Sequence, residues 1–231
     1  MHLTVLDPNN PEQNFPSLDK ALREPDGLLA VGGCLSRPRL LNAYRHGIFP
    51  WYNPGEPILW WSPNPRLVLF PDKFIISRSL RKTLRKNIFS VTFDQAFDDV
   101  IKACADPRKE VAGTWITTEI DAAYKQLHQA GFAHSVETWL GDELVGGLYG
   151  VALGRVFFGE SMFHSKTDAS KAAFAALISL LKSWDYRLLD CQVHSKHLEN
   201  FGAQEIDRNH FTKLLNQYCD VPAKQSAWQA Q

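Results

Sequence analysis

The chain of 231 residues is short of several things. Lys plus Arg and Asp plus Glu are 25 each, so there is no net charge, and a globally basic surface for nucleic acid is excluded. Any such site must be local. No apolar run approaches the roughly 18 residues that a membrane span requires. The opening Met1-His2-Leu3-Thr4-Val5 has neither a charged leader nor a long apolar core, so no signal peptide is expected. The four cysteines, Cys34, Cys104, Cys191 and Cys219, form no Cys-x-x-Cys pair. That argues against a zinc site or a disulfide framework and for a reducing cytoplasm. Internal repeats and low-complexity tracts are missing too.

Hydrophobic residues at 45% and charged residues at 22% give a globular chain with a sizeable core. Prolines and glycines crowd the first sixty-odd residues, where only Pro38 to Tyr44 reads as a helix. A small N-terminal subdomain over residues 1–65 is expected to pack on a larger domain over 66–231.

From Arg66 the pattern is regular. Arg66–Phe70 reads as a strand, Ser77–Asn87 as a capped helix and Phe89–Phe93 as a strand. A helix capped by Asp94 follows to Ala105, and a helix from Thr118 closes at Gly131. Three antiparallel strands come next, His134–Leu140, Leu144–Leu153 and Arg155–Phe163, then a helix over Ser170–Trp184. Tyr186–His194 reads as a strand, Lys196–Phe201 and Arg208–Tyr218 as helices, and the tail after Pro222 as loose. The class is α+β, a mainly antiparallel sheet flanked by helices. The element order resembles the GNAT acetyltransferase fold, which holds an acyl donor in a cleft.

Four groups of residues have chemical potential. Lys73 to Lys86 carries six basic residues and no acid, and Arg78, Arg81, Lys82 and Arg85 share one side of a helix. Such a stripe tracks phosphates or is simply a solvated face. Trp51 and Trp115 stand on irregular backbone, where a ring can stack on an unpaired base or pack a subdomain; for Trp60-Trp61 packing is the better reading. Glu160 ends an apolar strand, so its carboxylate needs a cleft or a partner such as a core arginine, and Met162 beside it suits an adaptable apolar pocket. Asp190 and Gln192 fall on one face of a strand, with Cys191 opposite as a core cysteine. His194 and His197 read as surface residues with no third ligand.

Several long motifs then stand in one register: Leu22-Arg23-Glu24-Pro25, Gly47-Ile48-Phe49-Pro50-Trp51, Trp60-Trp61-Ser62-Pro63, Gly113-Thr114-Trp115-Ile116-Thr117, Gly146-Gly147-Leu148-Tyr149-Gly150, Gly159–Phe163 and Leu189-Asp190-Cys191-Gln192. With these the chain resembles the leucyl/phenylalanyl-tRNA–protein transferases from about residue 20 to 205. The resemblance implies a bacterial cytoplasmic enzyme of the N-end-rule pathway. It would move Leu or Phe from aminoacyl-tRNA onto proteins with N-terminal Lys or Arg, on a GNAT-like domain with no acetyl-CoA, other cofactor or metal. It implies that Trp51 and Trp115 hold the 3′-terminal adenosine. Leu148, Phe157, Met162 and Leu177 would surround the donor side chain, and Glu160, Asp190 and Gln192 would line the reaction centre. Leu148 and Leu177 stand where the family's pocket has methionine and phenylalanine. The basic stripe would contact the tRNA backbone, and a monomer is expected.

On the residues themselves, the loop His164–Ala169 has no glycine and carries an acid, which makes it a poor pyrophosphate cradle. That counts against a CoA-dependent acyltransferase, the second reading; a non-catalytic tRNA-binding module is the third. In the implied reaction an α-amine attacks an ester. Gln192 would bind the amine, and Asp190 would orient Gln192 and take the proton, unless a ribose hydroxyl carries it. Glu160 and Asp190 would supply the negative charge that selects Lys or Arg.

Overall fold

The structure, a computed structural model, describes residues 3–106, 115–224 and 228. Gly113 and Thr114 of the Gly113–Thr117 motif lie outside them.

The proline- and glycine-rich N-terminal stretch forms four short strands: β1 (Thr4–Leu6), β2 (Leu28–Gly32), β3 (Phe49–Pro50) and β4 (Leu59–Trp61). They pair in the order β1-β2-β4-β3. Sequence reading missed this sheet because strands of two to five residues, cut by turns, are too short to show a period of two. Between β2 and β3 lies helix α1 (Arg37–Arg45), with proline in its first turn. Trp60 is fully buried and donates its indole N–H to the Gly32 carbonyl at 2.8 Å, the packing role expected of it.

The remainder supplies β5 (Arg66–Leu69), helix α2 (Arg78–Arg85), β6 (Ser90–Phe93), helices α3 (Phe97–Ala105) and α4 (Thr118–Gln129), and the long strands β7 (Ala133–Leu140), β8 (Glu143–Leu153) and β9 (Val156–His164). Helix α5 (Ala169–Ser183), β10 (Leu188–Gln192), helix α6 (Lys196–Glu199), β11 (Gln204–Ile206) and helix α7 (Arg208–Tyr218) complete it. One seven-stranded sheet results, in the order β11-β5-β10-β9-β8-β7-β6. All its neighbours are antiparallel except β9 and β10, which α5 joins by a crossover. The α+β class and the helix, three strands, helix, strand order expected from sequence are therefore present. Among the described residues no helix is long and apolar enough to cross a membrane.

Alternating side chains give the sheet two apolar faces. Tyr149, Val151 and Phe158 belong to a core with α1, α3, α4 and α7; Leu148, Phe157 and Leu189 belong to a second core with α2 and α5.

Three local expectations are corrected. Asp94 does not cap α3, which starts at Phe97 after Ala96. With φ at 56°, Asp94 turns its carboxylate to β7, accepting from the Ser135 backbone N–H at 2.8 Å and meeting His134 Nδ1 at 2.7 Å. The strand expected to run to His194 stops at Gln192, whose φ of 65° ends the extended backbone. The tail is not loose throughout, since Trp228 packs against the second core.

Candidate active site

β9 and β10 pair only over three residues, ending at Phe158 opposite Asp190. Beyond that point β9 continues with β8 while β10 runs on to Gln192 with β5, and the gap between β9 and β10 opens into a cavity of about 1290 Å³. All nine residues proposed from sequence for the adenosine, the donor side chain and the reaction centre line it: Trp51, Trp115, Leu148, Phe157, Glu160, Met162, Leu177, Asp190 and Gln192.

One wall is apolar. Leu148 and Met162 are register partners across β8 and β9, so both point to the α5 face, where buried Phe157 and Leu177 meet them. At the rim Trp51 is 47% exposed, tilted against Trp61 at 5.8 Å, and its carbonyl accepts from the Trp61 indole at 2.6 Å. Trp115 is half-buried. A ring held by its backbone and open to solvent on one face is a platform for a flat ligand.

The other wall is polar. Between the pairs Gly150–Gly159 and Tyr149–Ser161, β9 holds one extra residue, and that residue is Glu160. The bulge re-aims its side chain to the α1 and α4 side of the sheet. There Tyr44 donates to Glu160 Oε1 at 2.8 Å, Tyr124 donates to Oε2 at 3.1 Å, and the Gln192 amide donates to Oε1 at 3.0 Å. The two phenol oxygens are also in hydrogen-bond contact with each other. An ionised Glu160 leaves two protons for the three contacts among carboxyl and phenols; a protonated Glu160 supplies the third. Burial raises the Glu160 carboxyl to about 7, against the two tyrosine bonds that favour the anion.

Asp190 is fully buried and held by Arg66, Nε to Oδ1 at 2.8 Å and Nη2 to Oδ2 at 2.6 Å. The Gln192 backbone N–H adds a third donor to Oδ1 at 2.9 Å. Thus the core arginine considered as a partner for Glu160 belongs to Asp190. Cys191 is buried and its thiol is pushed well up by that burial, so it is no nucleophile. His194 and His197 are exposed, His197 at the cavity edge.

Arg78, Arg81, Lys82 and Arg85 are exposed on α2 and do not line the cavity. Ser77 caps this helix through the Leu80 N–H at 3.2 Å, and Leu80 anchors its apolar side. Thr83 of α2 donates to Asp168 at 2.9 Å, and Asp168 does line the cavity, so α2 stands beside the rim with Thr83 turned towards it and the basic stripe on the helix's other side. The Lys171 ammonium, first, holds the Asp168 carboxyl below its usual range.

Sequence reading missed Tyr44, Tyr124 and Arg66. A buried tyrosine on a helix face wants a partner for its hydroxyl, but nothing local says that the partner lies 116 or 36 residues on.

Removing the Tyr44 hydroxyl tests this electrostatic picture. Tyr44→Phe deletes a bond that favours ionised Glu160, so the Glu160-dependent limb of the activity's pH profile should move to higher pH. Groups outside this cluster titrate alike in both proteins and cancel in the comparison. A superimposable profile would show that the hydroxyl does not act on Glu160.

The leucyl/phenylalanyl-tRNA protein transferase family model matches residues 68–216, and the model for the N-terminal domain of the same proteins matches residues 33–64. A leucyl/phenylalanyl-tRNA–protein transferase of Methylococcus capsulatus is 58% identical over 226 residues, covering 98% of this chain and 96% of that protein. One from Nitrosomonas europaea is 59% identical over 214 residues, covering 93% and 91%. Among solved structures, FemX is similar at a TM-score of 0.46 and 9% identity, covering 77% of this chain and 70% of that one.

Proposed function

The chain belongs to the leucyl/phenylalanyl-tRNA protein transferase family, and from that premise we propose that its cavity joins an aminoacyl-tRNA 3′ end to a protein N-terminus. The enzyme is an aminoacyltransferase that moves Leu or Phe from tRNA to acceptor proteins with N-terminal Lys or Arg, marking them for N-end-rule degradation. The observation that carries the site assignment is the meeting, in one cavity, of an apolar pocket with a carboxyl near 7.

In this reading Leu148, Phe157, Met162 and Leu177 enclose the donor side chain. A methylene-scale pocket separates apolar groups by only about 1–3 kcal/mol, which suits acceptance of both Leu and Phe. Trp51 and Trp115 hold the terminal adenosine. The acceptor α-amine, which titrates near 7.7–8.0 when free, hydrogen-bonds Gln192 and approaches the ester carbonyl. Glu160, matched to that pH range, receives the amine's proton as general base while the C–N bond forms, and the proton passes to the ribose oxygen as the ester C–O bond breaks and the tRNA leaves. The negative charge of Glu160, that of Asp190 being offset by Arg66, favours a cationic acceptor. Asp190 already accepts from three donors, which supports a positioning role through Gln192 over the proton role considered for it.

The division into residues 1–65 and 66–231 is part of the reading. Its support is that the four-stranded sheet comes wholly from the first stretch and the seven-stranded sheet wholly from the second. A cytoplasmic monomer without cofactor or metal is part of it as well. Against the CoA-dependent alternative stands the Asp168 carboxylate at the start of α5, where a pyrophosphate would have to approach.

Transfer of radiolabelled leucine from Leu-tRNA to Arg-, Lys- and Ala-ended peptides tests the function; labelling of the first two alone is expected, and no labelling of any would refute it. For the tRNA backbone, Arg81→Ala with Arg85→Ala should weaken binding and lower the salt slope by about 1.4–1.8, two phosphate contacts' worth. An unchanged slope would put the RNA on another surface.

A further inference from the structure

Trp228 is joined to the second core by four contacts. Its ring stacks on His134 at 4.0 Å and 13°, lies over Phe157 at 5.8 Å and 26°, and meets Trp184 edge-on at 5.1 Å. Its indole N–H donates to the Tyr186 hydroxyl at 2.9 Å. The residue has φ at 62°, left-handed backbone that a bulky side chain rarely adopts. The chain is turned there to bring this ring against the sheet.

Trp228 does not line the cavity, but Phe157 does. Phe157 is fully buried, and its position depends on Gly150 beside it, where a Cβ would fall 2.5 Å from Phe157 Cε1. The phenylalanine ring can therefore lie flat over β8, and it is shared by the cavity wall and the Trp228 stack. Nothing else in the Trp228 stack borders the cavity: His134, Trp184 and Tyr186 are all absent from its lining.

We propose that Trp228 is a positioning residue for donor selection, its indole supporting Phe157 from behind and so setting the depth of the pocket that receives the donor side chain. The inference rests on the reading of that pocket as the donor site. Deleting the indole leaves a void that the surrounding core fills only in part. Phe157 is the ring between that void and the cavity, so it is free to retreat, and the pocket deepens. The larger donor gains and the smaller one loses contact.

The test is the ratio of kcat/KM for Phe-tRNA to that for Leu-tRNA, with Trp228→Ala, Trp228→Phe and Phe157→Ala assayed together. Trp228→Ala should raise the ratio at least about threefold, part of a methylene-scale effect, through donor KM more than kcat. Trp228→Phe, which keeps a smaller ring in the stack, should raise it less and decides the matter if the alanine variant does not fold. A loss of general stability would lower both donors alike and leave the ratio unmoved. A ratio unchanged or moved towards Leu in the folded Trp228 variants, while Phe157→Ala changes it, overturns the inference and leaves the donor pocket standing. If Phe157→Ala has no effect on the ratio either, the pocket reading itself falls.

Discussion

Glu160→Gln should transfer leucine to an Arg-ended peptide at least about a hundredfold more slowly, the lower end of what a positioned general base contributes. Above neutral pH it should also be more stable than the parent protein. Both effects have one cause. The Glu160 carboxyl lies at about 7 in the folded protein, because burial disfavours its charge, and near 4.5 in the unfolded chain. Between those values the folded state binds more protons, so the contribution of Glu160 to stability is full below about 4.5 and is lost as pH rises through 7. A shift of that size corresponds to roughly 3 kcal/mol. Glutamine is neutral throughout and bears none of this loss. Denaturant unfolding at pH 5 and pH 8 should show a flatter pH response in the variant, and unchanged transfer kinetics would remove Glu160 from the reaction centre.

The second large effect is expected at Asp190. Arg66 is 1% exposed as a side chain, lies between the rings of Phe49 and Phe211 at 4.8 Å from each, and has Asp190 as its ion-pair partner. Asp190→Ala strands a buried guanidinium, and breaking such a pair costs about 3–5 kcal/mol. It also removes the acceptor that fixes the Gln192 backbone N–H in the turn that ends β10. The double variant Arg66→Met with Asp190→Leu separates these losses. An apolar pair of similar volume should recover most of the stability, yet transfer should stay low because Gln192 has lost its anchor. Recovery of both together would mean that Asp190 serves only the fold.

How far the residues foretell this site depends on the range of each contact. The long strands β7 to β9 and helix α5 were legible because their apolar runs and stripe are long, and with them the place of Leu177 on that stripe. The meeting of Leu148, Phe157 and Met162 with it was implied by the family resemblance alone, since the side Met162 faces depends on a bulge in β9. Glu160 drew notice as a charge at the end of an apolar strand. Its bulge did not, since the extra residue shows only when β9 is matched against β8. The tyrosine pair at Tyr44 and Tyr124, Arg66 behind Asp190 and Trp228 behind Phe157 are meetings of distant segments, for which no local spacing exists. Asp94 shows the converse. Its sequence context is that of a helix cap, but the backbone N–H of β7 and the imidazole of His134 compete for the carboxylate and prevail.

The central claim is that one cavity receives an esterified nucleotide terminus, side chain first. The most direct measurement is a crystal structure with a non-hydrolysable phenylalanyl-adenosine mimic. The phenyl group should be enclosed by Leu148, Phe157, Met162 and Leu177, with the adenine against Trp51 and Trp115 and the carbonyl carbon within reach of Gln192. A mimic bound on another surface, with this cavity closed or empty, would contradict it.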